Sequence, residues 1–287
     1  MDAKKVRLIS NIFSKKVLED IALGYTPKKI EEIIARANLH DLVNGMSYFS
    51  FFEWVYNRLI SEYRSEYVYK NAIASKIIIG RHKFSNVSYF SEFSAWDVIS
   101  DVVVANGTIT AYEIKTEYDS FSRLEKQLST YQQIFDRVYV VIPESKIKSL
   151  LKLVDKNIGV LILTKKYTLS VYRESESNLR RLSHEKIFSC LRKSEYEDIT
   201  VKYFGSLPAV KPVYLRKYSG ELFSTLELDT VHKEFTQCLK NRQKDSIRKA
   251  GIRAMPKSLA SLGITINLSS TKFYQLVRNL NVQIPIN

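Results

Sequence analysis

Asp101, Glu113 and Lys115 are the residues in this chain whose types and spacing point most directly to chemistry. They fall in one continuous stretch, Ser100-Asp101-Val102-Val103-Val104-Ala105-Asn106-Gly107-Thr108-Ile109-Thr110-Ala111-Tyr112-Glu113-Ile114-Lys115. Val98–Val104 is β-branched and reads as a buried strand. Asn106-Gly107 is a hairpin signal, and Thr108–Lys115 reads as the return strand. Side chains two apart on a strand share a face, so Glu113 and Lys115 point the same way. Two carboxylates converging there would form an oxygen-rich site suited to Mg2+ or Mn2+. Such an ion lowers the pKa of bound water and offsets charge on a phosphoryl transition state. A neighbouring lysine, a compact point charge, can orient the attacking water.

Convergence depends on the turn. A two-residue loop at Asn106-Gly107 sets Asp101 opposite Tyr112 and sends Glu113 to the other face. A three-residue loop, Ala105-Asn106-Gly107, pairs Asp101 with Ala111 and puts it on the face of Glu113. A bulge shifts the parity equally well. The site requires an odd loop or a bulge. Lys115 reads as a strand-end lysine with a solvated head, whose removal should leave the fold intact.

The flanking elements follow from periodicity. Ser65–Ile79 reads as a helix ending at Gly80, and Val87–Phe93 as a strand. Ser120–Phe135 reads as a helix with Phe121, Leu124, Leu128, Tyr131 and Phe135 on one face; Gln127 and Tyr131, four apart, share a face too. Val138–Ile142, Ile158–Leu163 and Tyr167–Tyr172 read as strands, with a helix over Glu144–Val154. The order predicts an α/β fold, a mixed sheet flanked by helices. Three regions are expected: N-terminal helices over 1–62, the core over 63–175 and a basic, mainly helical region over 176–287. In the first, Val6, Ile9, Phe13, Val17 and Ile21 recur at helical spacing, and Thr26-Pro27 marks a helix start with Thr26 as cap. The aromatics from Tyr48 to Tyr69 read as helix core, with a base-stacking surface as the alternative.

At this point the arrangement resembles the PD-(D/E)XK nuclease superfamily. Asp101 and Glu113-Ile114-Lys115 match its strand signature, and Gln127 with Tyr131 matches the Gln-x-x-x-Tyr motif of its exonuclease-like branch. The resemblance covers about residues 62–172. Ser100 stands where proline gives the signature its name. The resemblance implies a restriction-endonuclease-like αβββαβ core and a Mg2+- or Mn2+-dependent nuclease, with DNA the expected substrate. It implies metal held by Asp101, Glu113, the Ile114 carbonyl and Glu66 on the preceding helix, with Lys115 positioning water and Gln127 and Tyr131 orienting Lys115 or the phosphate. It suggests phage defence or processing of mobile DNA. Two other readings remain: a non-catalytic nucleic-acid- or partner-binding protein on the same scaffold, and an RNase or toxin.

Composition agrees with a polyanionic partner. The 287 residues carry 44 Lys and Arg against 30 Asp and Glu, a net charge of +14, which favours nucleic acid or an anionic membrane. Lys240, Arg242, Lys244, Arg248 and Lys249 cluster in the C-terminal region and are the expected phosphate contacts. Two cysteines and four scattered histidines exclude a disulfide scaffold and a four-cysteine zinc site. No apolar run approaches the roughly 20 residues of a membrane span, and no signal peptide is visible, so a cytoplasmic location is expected.

Overall fold

Apolar residues at helical spacing, interrupted by polar caps, set the first elements: α1 (Ala3–Ile9), α2 (Lys15–Ala22), α3 (Lys28–Ala37), α4 (His40–Val43), α5 (Tyr48–Glu62) and α6 (Glu66–Ile73). The computed structural model describes residues 2–79, 87–243 and 251–285. The chain divides into two units, one of Met1–Ser85, Lys166–Leu169 and Asp245–Asn287, the other of Asn86–Lys165 and Ser170–Lys244. These cut across the three expected regions: Glu66–Ile79 groups with the N-terminal helices, and residues 176–244 group with the sheet.

In the helical unit the expected run through Val6, Phe13 and Ile21 is broken. Ser14 accepts the Val17 N–H as a new cap, because a short hydroxyl side chain competes for the backbone at that point. The α3 start also differs, since Pro27 occupies the capping position and no side chain caps it. The aromatic run is mainly core. Phe51, Phe52, Tyr56 and Tyr69 are buried, and the Phe13 ring lies 4.4 to 5.8 Å from those of Phe52, Tyr56 and Tyr67. After α6 the helix loosens into a π-helical stretch, Ala74–Ile79. Helices Ala260–Thr265 and Ser270–Asn279 also belong to this unit.

The second unit is built on a six-stranded sheet in chain order: β1 (Ser88–Ala95), β2 (Val98–Ala105), β3 (Ile109–Ile114), β4 (Arg137–Ile142), β5 (Gly159–Leu163) and β6 (Leu169–Arg173). β1, β2 and β3 are antiparallel neighbours; β4 and β5 then continue parallel to β3. The fold is therefore α/β, a mixed sheet flanked by helices. α7 (Leu124–Tyr131), between β3 and β4, and α8 (Ile147–Leu150), between β4 and β5, are shorter than expected. Asp119 bonds the Thr116 N–H and hydroxyl, and Ser120 bonds Ser122; these local side-chain bonds hold a turn where periodicity alone predicts helix.

Residues 176–244 supply α9 (His184–Ser189), α10 (Lys193–Phe204), α11 (Pro212–Phe223) and α12 (Leu228–Asn241). Pro212 opens α11, as its fixed φ and missing N–H allow. One core joins these helices and α7 to one face of the sheet. It includes Val103 and Ala105 of β2, Ile109 and Ala111 of β3, Val138 and Val140 of β4, Leu128 and Tyr131 of α7, and Phe188, Phe223 and Phe235. On the sheet, Gly159 is needed for close packing. A Cβ there would meet the Tyr139 ring at 2.3 Å.

Candidate active site

The β2–β3 register decides whether Asp101 and Glu113 meet. Ala105 pairs with Ile109, Val104 with Thr110, Val103 with Ala111 and Val102 with Tyr112. The loop is thus the three residues Asn106-Gly107-Thr108, with Gly107 at φ +122°, a region that glycine enters without a Cβ clash. The loop is odd, as the site requires. It is displaced by one residue from Ala105-Asn106-Gly107, so Asp101 lies in register opposite Glu113 rather than Ala111. Both side chains emerge on the face that carries Val103 and Ala111, the face covered by α7.

The ladder changes at this point. The last regular pair is Val102–Tyr112, and one step on the Ile114 N–H donates to Asp101 Oδ2 at 2.7 Å. A carboxylate has replaced a strand carbonyl as acceptor. In an antiparallel pair a residue's N–H and C=O face the same neighbour, so the Ile114 carbonyl also faces β2. On its other side β3 stays tied to β4 through the Lys115 N–H and the Val141 carbonyl, 3.0 Å apart.

Glu113 is 1% exposed. Its Oε1 accepts from Lys115 Nζ at 2.6 Å, and Tyr131 Oη lies 2.8 Å from its Oε2 and 2.8 Å from the Ile99 carbonyl. Lys115 Nζ also donates to Gln127 Oε1 at 3.1 Å. The structure therefore brings Glu113, Lys115, Gln127 and Tyr131 into one hydrogen-bonded group, with Asp101 on the same face. Lys115 itself is buried, contrary to the expected solvated head. Its ammonium is held by Glu113 and Gln127. Burial, and then the charge of Glu113, hold the Tyr131 phenol well above the ordinary tyrosine range, so it remains protonated and acts as a donor.

A tie not foreseen from the sequence fixes α7. Asp97, in the turn between β1 and β2, pairs with Lys126 at 2.8 Å and accepts from Thr130 at 3.3 Å. The Lys126 bond holds its carboxyl below the usual aspartate range. Lys126 and Thr130 each stand one residue before Gln127 and Tyr131, so this contact sets the helix that carries them. Trp96, beside Asp97, takes φ +59°. The sequence signal was a polar turn between two apolar strands; its partner on α7 is visible only in three dimensions.

Glu66, read as a possible further metal ligand, starts α6, where its carboxylate pairs with Lys70 at 2.6 Å. Among the described residues no group of three or more His, Cys, Asp or Glu side chains forms a metal cluster. Arg242 is not a free phosphate contact. Its guanidinium pairs with Glu195 at 2.6 Å and donates to the Cys190 carbonyl, which consumes its charge inside the fold. Burial pushes the Glu195 carboxyl up, but the Arg242 bond and the Arg192 N–H outweigh it and hold it below the usual glutamate range. Lys240 is half-buried on α12, and Lys244, Arg248 and Lys249 lie outside the described residues.

Asp101, Glu113 and the Ile114 carbonyl suit Mg2+ or Mn2+ in kind, since all are hard oxygen donors. Mg2+ is commonly held by one or two carboxylates, with waters and substrate phosphates completing its shell.

Residues 60–262 match the family described as bacteriophage P4 protein cII. The chain belongs to that family. Within it, protein cII of Enterobacteria phage P4 is 27% identical over 110 residues, which is 38% of this chain and 42% of the phage protein. The chain thus spans less than half the length of this curated cII relative. Among solved structures, the SPO1766 protein of unknown function from Silicibacter pomeroyi aligns with 45% of this chain and 88% of its own, at 16% identity and a TM-score of 0.30. The cII family match takes in every residue of the Asp101–Tyr131 group. No described helix is long and apolar enough to cross a membrane.

Proposed function

We propose that this chain is a divalent-metal-dependent nuclease, with DNA as the favoured substrate. The observation that carries the reading is Lys115 Nζ, held between Glu113 Oε1 and Gln127 Oε1 on the face where Asp101 also emerges. Asp101, Glu113 and the Ile114 carbonyl would hold Mg2+ or Mn2+. When bound, the ion would acidify a water and offset charge on the phosphate. Lys115 orients that water and faces the developing negative charge. Gln127 fixes the Lys115 ammonium. Tyr131 donates to Glu113 and, staying protonated, keeps that carboxylate turned toward the site. Asp97, through Lys126 and Thr130, positions α7.

The test is cleavage of supercoiled plasmid, linear duplex, single-stranded DNA and RNA with Mg2+, Mn2+ or EDTA. Wild type should cut in either metal and not in EDTA. Asp101→Asn, isosteric at a half-buried position, should abolish cutting while leaving the circular dichroism spectrum unchanged. A wild type that binds these substrates but cuts none of them in either metal would favour the binding-scaffold reading, and equal cutting by Asp101→Asn would remove Asp101 from the site.

A further inference from the structure

A run of exposed apolar and aromatic side chains lies on one hairpin. Val201, Tyr203, Phe204, Val213, Tyr214 and Tyr218 all remain exposed. They lie on the last turn of α10 and the first turns of α11, two helices that pack on each other. The connection between them brings both ends together. Exposed apolar side chains grouped on one surface can mark an interaction site.

The charge of the same segment is one-sided. From Ile199 to Gly220 there are four cations, Lys202, Lys211, Arg216 and Lys217, and no Asp or Glu. Two of these are engaged: Lys202 pairs with Glu234 on α12 at 2.7 Å, and Arg216 packs 5.2 to 5.3 Å from the Phe188 and Tyr196 rings. Lys211 is exposed just before α11. Lys217 stands 4.0 Å from Glu221, both in solvent, a contact of little strength. Tyr214 and Tyr218 are four apart on the outer face of α11, about 6 Å along its axis, with Lys211 and Lys217 on either side. Aromatic platforms flanked by cations are the recurring means of holding single-stranded nucleic acid without sequence preference.

We propose that the outer face of the α10–α11 hairpin binds single-stranded nucleic acid, with Tyr214 and Tyr218 stacking on bases and Lys211 and Lys217 meeting phosphates. A second copy of the chain fits less well, because a self-complementary interface would bring like charges together. The inference deepens the nuclease reading, on which the choice of nucleic acid rests, by assigning a strand type and a path outside the candidate active site.

The experiment is fluorescence anisotropy in EDTA, where cleavage does not intervene, using labelled 25-mers of dT and rU and a 25-base-pair duplex. Wild type should bind a single strand. Tyr214→Ala/Tyr218→Ala should bind it about 10-fold more weakly or worse, as expected for lost stacking, with an unchanged melting curve and little change for duplex. Lys211→Gln/Lys217→Gln should flatten the slope of log K against log salt by about 1.4, two phosphates at ~0.7 each. Unchanged single-strand affinity in the tyrosine variant overturns the proposal. So does binding of phosphatidylcholine–phosphatidylglycerol vesicles without oligonucleotide binding, or a sedimentation shift from dimer to monomer with oligonucleotide affinity intact. Metal-dependent cleavage is scored separately. Its loss with patch-dependent binding retained sinks only the nuclease reading; its presence with patch-independent binding sinks only this inference.

Discussion

Lys115→Ala offers the sharpest check on the buried network, because its cost follows from geometry and not from any assumed chemistry. Glu113 is 1% exposed, and its two oxygens are held by Lys115 at 2.6 Å and Tyr131 at 2.8 Å. Removing the ammonium leaves a buried carboxylate with one neutral donor and leaves Gln127 Oε1 without its donor. Breaking a buried pair from one side costs about 3–5 kcal/mol, a large share of the ~5–15 kcal/mol that holds a typical domain together. The same pair removed from both sides should cost less, so Lys115→Met/Glu113→Gln should be more stable than Lys115→Ala. The assay is urea unfolding followed by circular dichroism at pH 7 in EDTA, with free energies extrapolated to water. If Asp101 and Glu113 hold a cation, Mg2+ at one hundred times its Kd should return about 2.7 kcal/mol to the lysine variant. A Lys115→Ala protein within about 0.5 kcal/mol of wild type in EDTA, the range of an ordinary surface substitution, would refute the network as drawn.

Other outcomes follow from neighbouring residues. Tyr131→Phe removes one hydroxyl donor from a buried carboxylate and should lower stability by about 1.5–3 kcal/mol; an unchanged urea midpoint would show that the hydroxyl does not engage Glu113. Arg242→Ala strips Glu195 of its partner and should destabilise by about 3 kcal/mol while leaving the salt slope of nucleic-acid binding unchanged; a flatter slope would restore Arg242 as a phosphate contact. Burial pushes the Cys238 thiol up to about 12 and raises Cys190 as well. The folded state therefore keeps protons that the unfolded chain loses above about pH 9. Their contribution is full below that pH and falls as pH rises from 9 to 12; Cys238→Ala should flatten the decline in urea midpoint across this range, and parallel declines would exclude the thiol as its source.

Much of the site was legible because its signals are local. Two-residue spacing on a strand puts Glu113 and Lys115 on one face, and four-residue spacing on a helix does the same for Gln127 and Tyr131; both hold in the structure. The requirement for an odd loop near Gly107 also holds, since parity alone decides which face Asp101 takes. The loop's position was less well specified: Ala105 is apolar and β-compatible, and whether it joins the loop or the ladder depends on its pairing with Ile109. Helix lengths were overestimated at α7 and α8; before α7, short-range side-chain bonds hold a turn where the pattern is still amphipathic on paper.

Charge was where the sequence alone told least. A run of cations reads the same whether each side chain meets solvent or a carboxylate from a distant helix. Arg242 meets Glu195, 47 residues away, and Lys115, read as a solvated strand end, is held by Glu113 and Gln127. Lys211 and Lys217, spaced among tyrosines and less conspicuous by count, stay on the surface. The sequence by itself determined the alternation of strands and helices and the shared face of Glu113 and Lys115, because each is set by neighbours within a few residues, and composition gave the sign of the net charge; the loop parity that joins Asp101 to Glu113 came from the β2–β3 register. Only the tertiary structure decided which charges are neutralised, which aromatics stay exposed and how Asp97 anchors α7. Those outcomes depend on burial and on contacts between residues far apart in the chain.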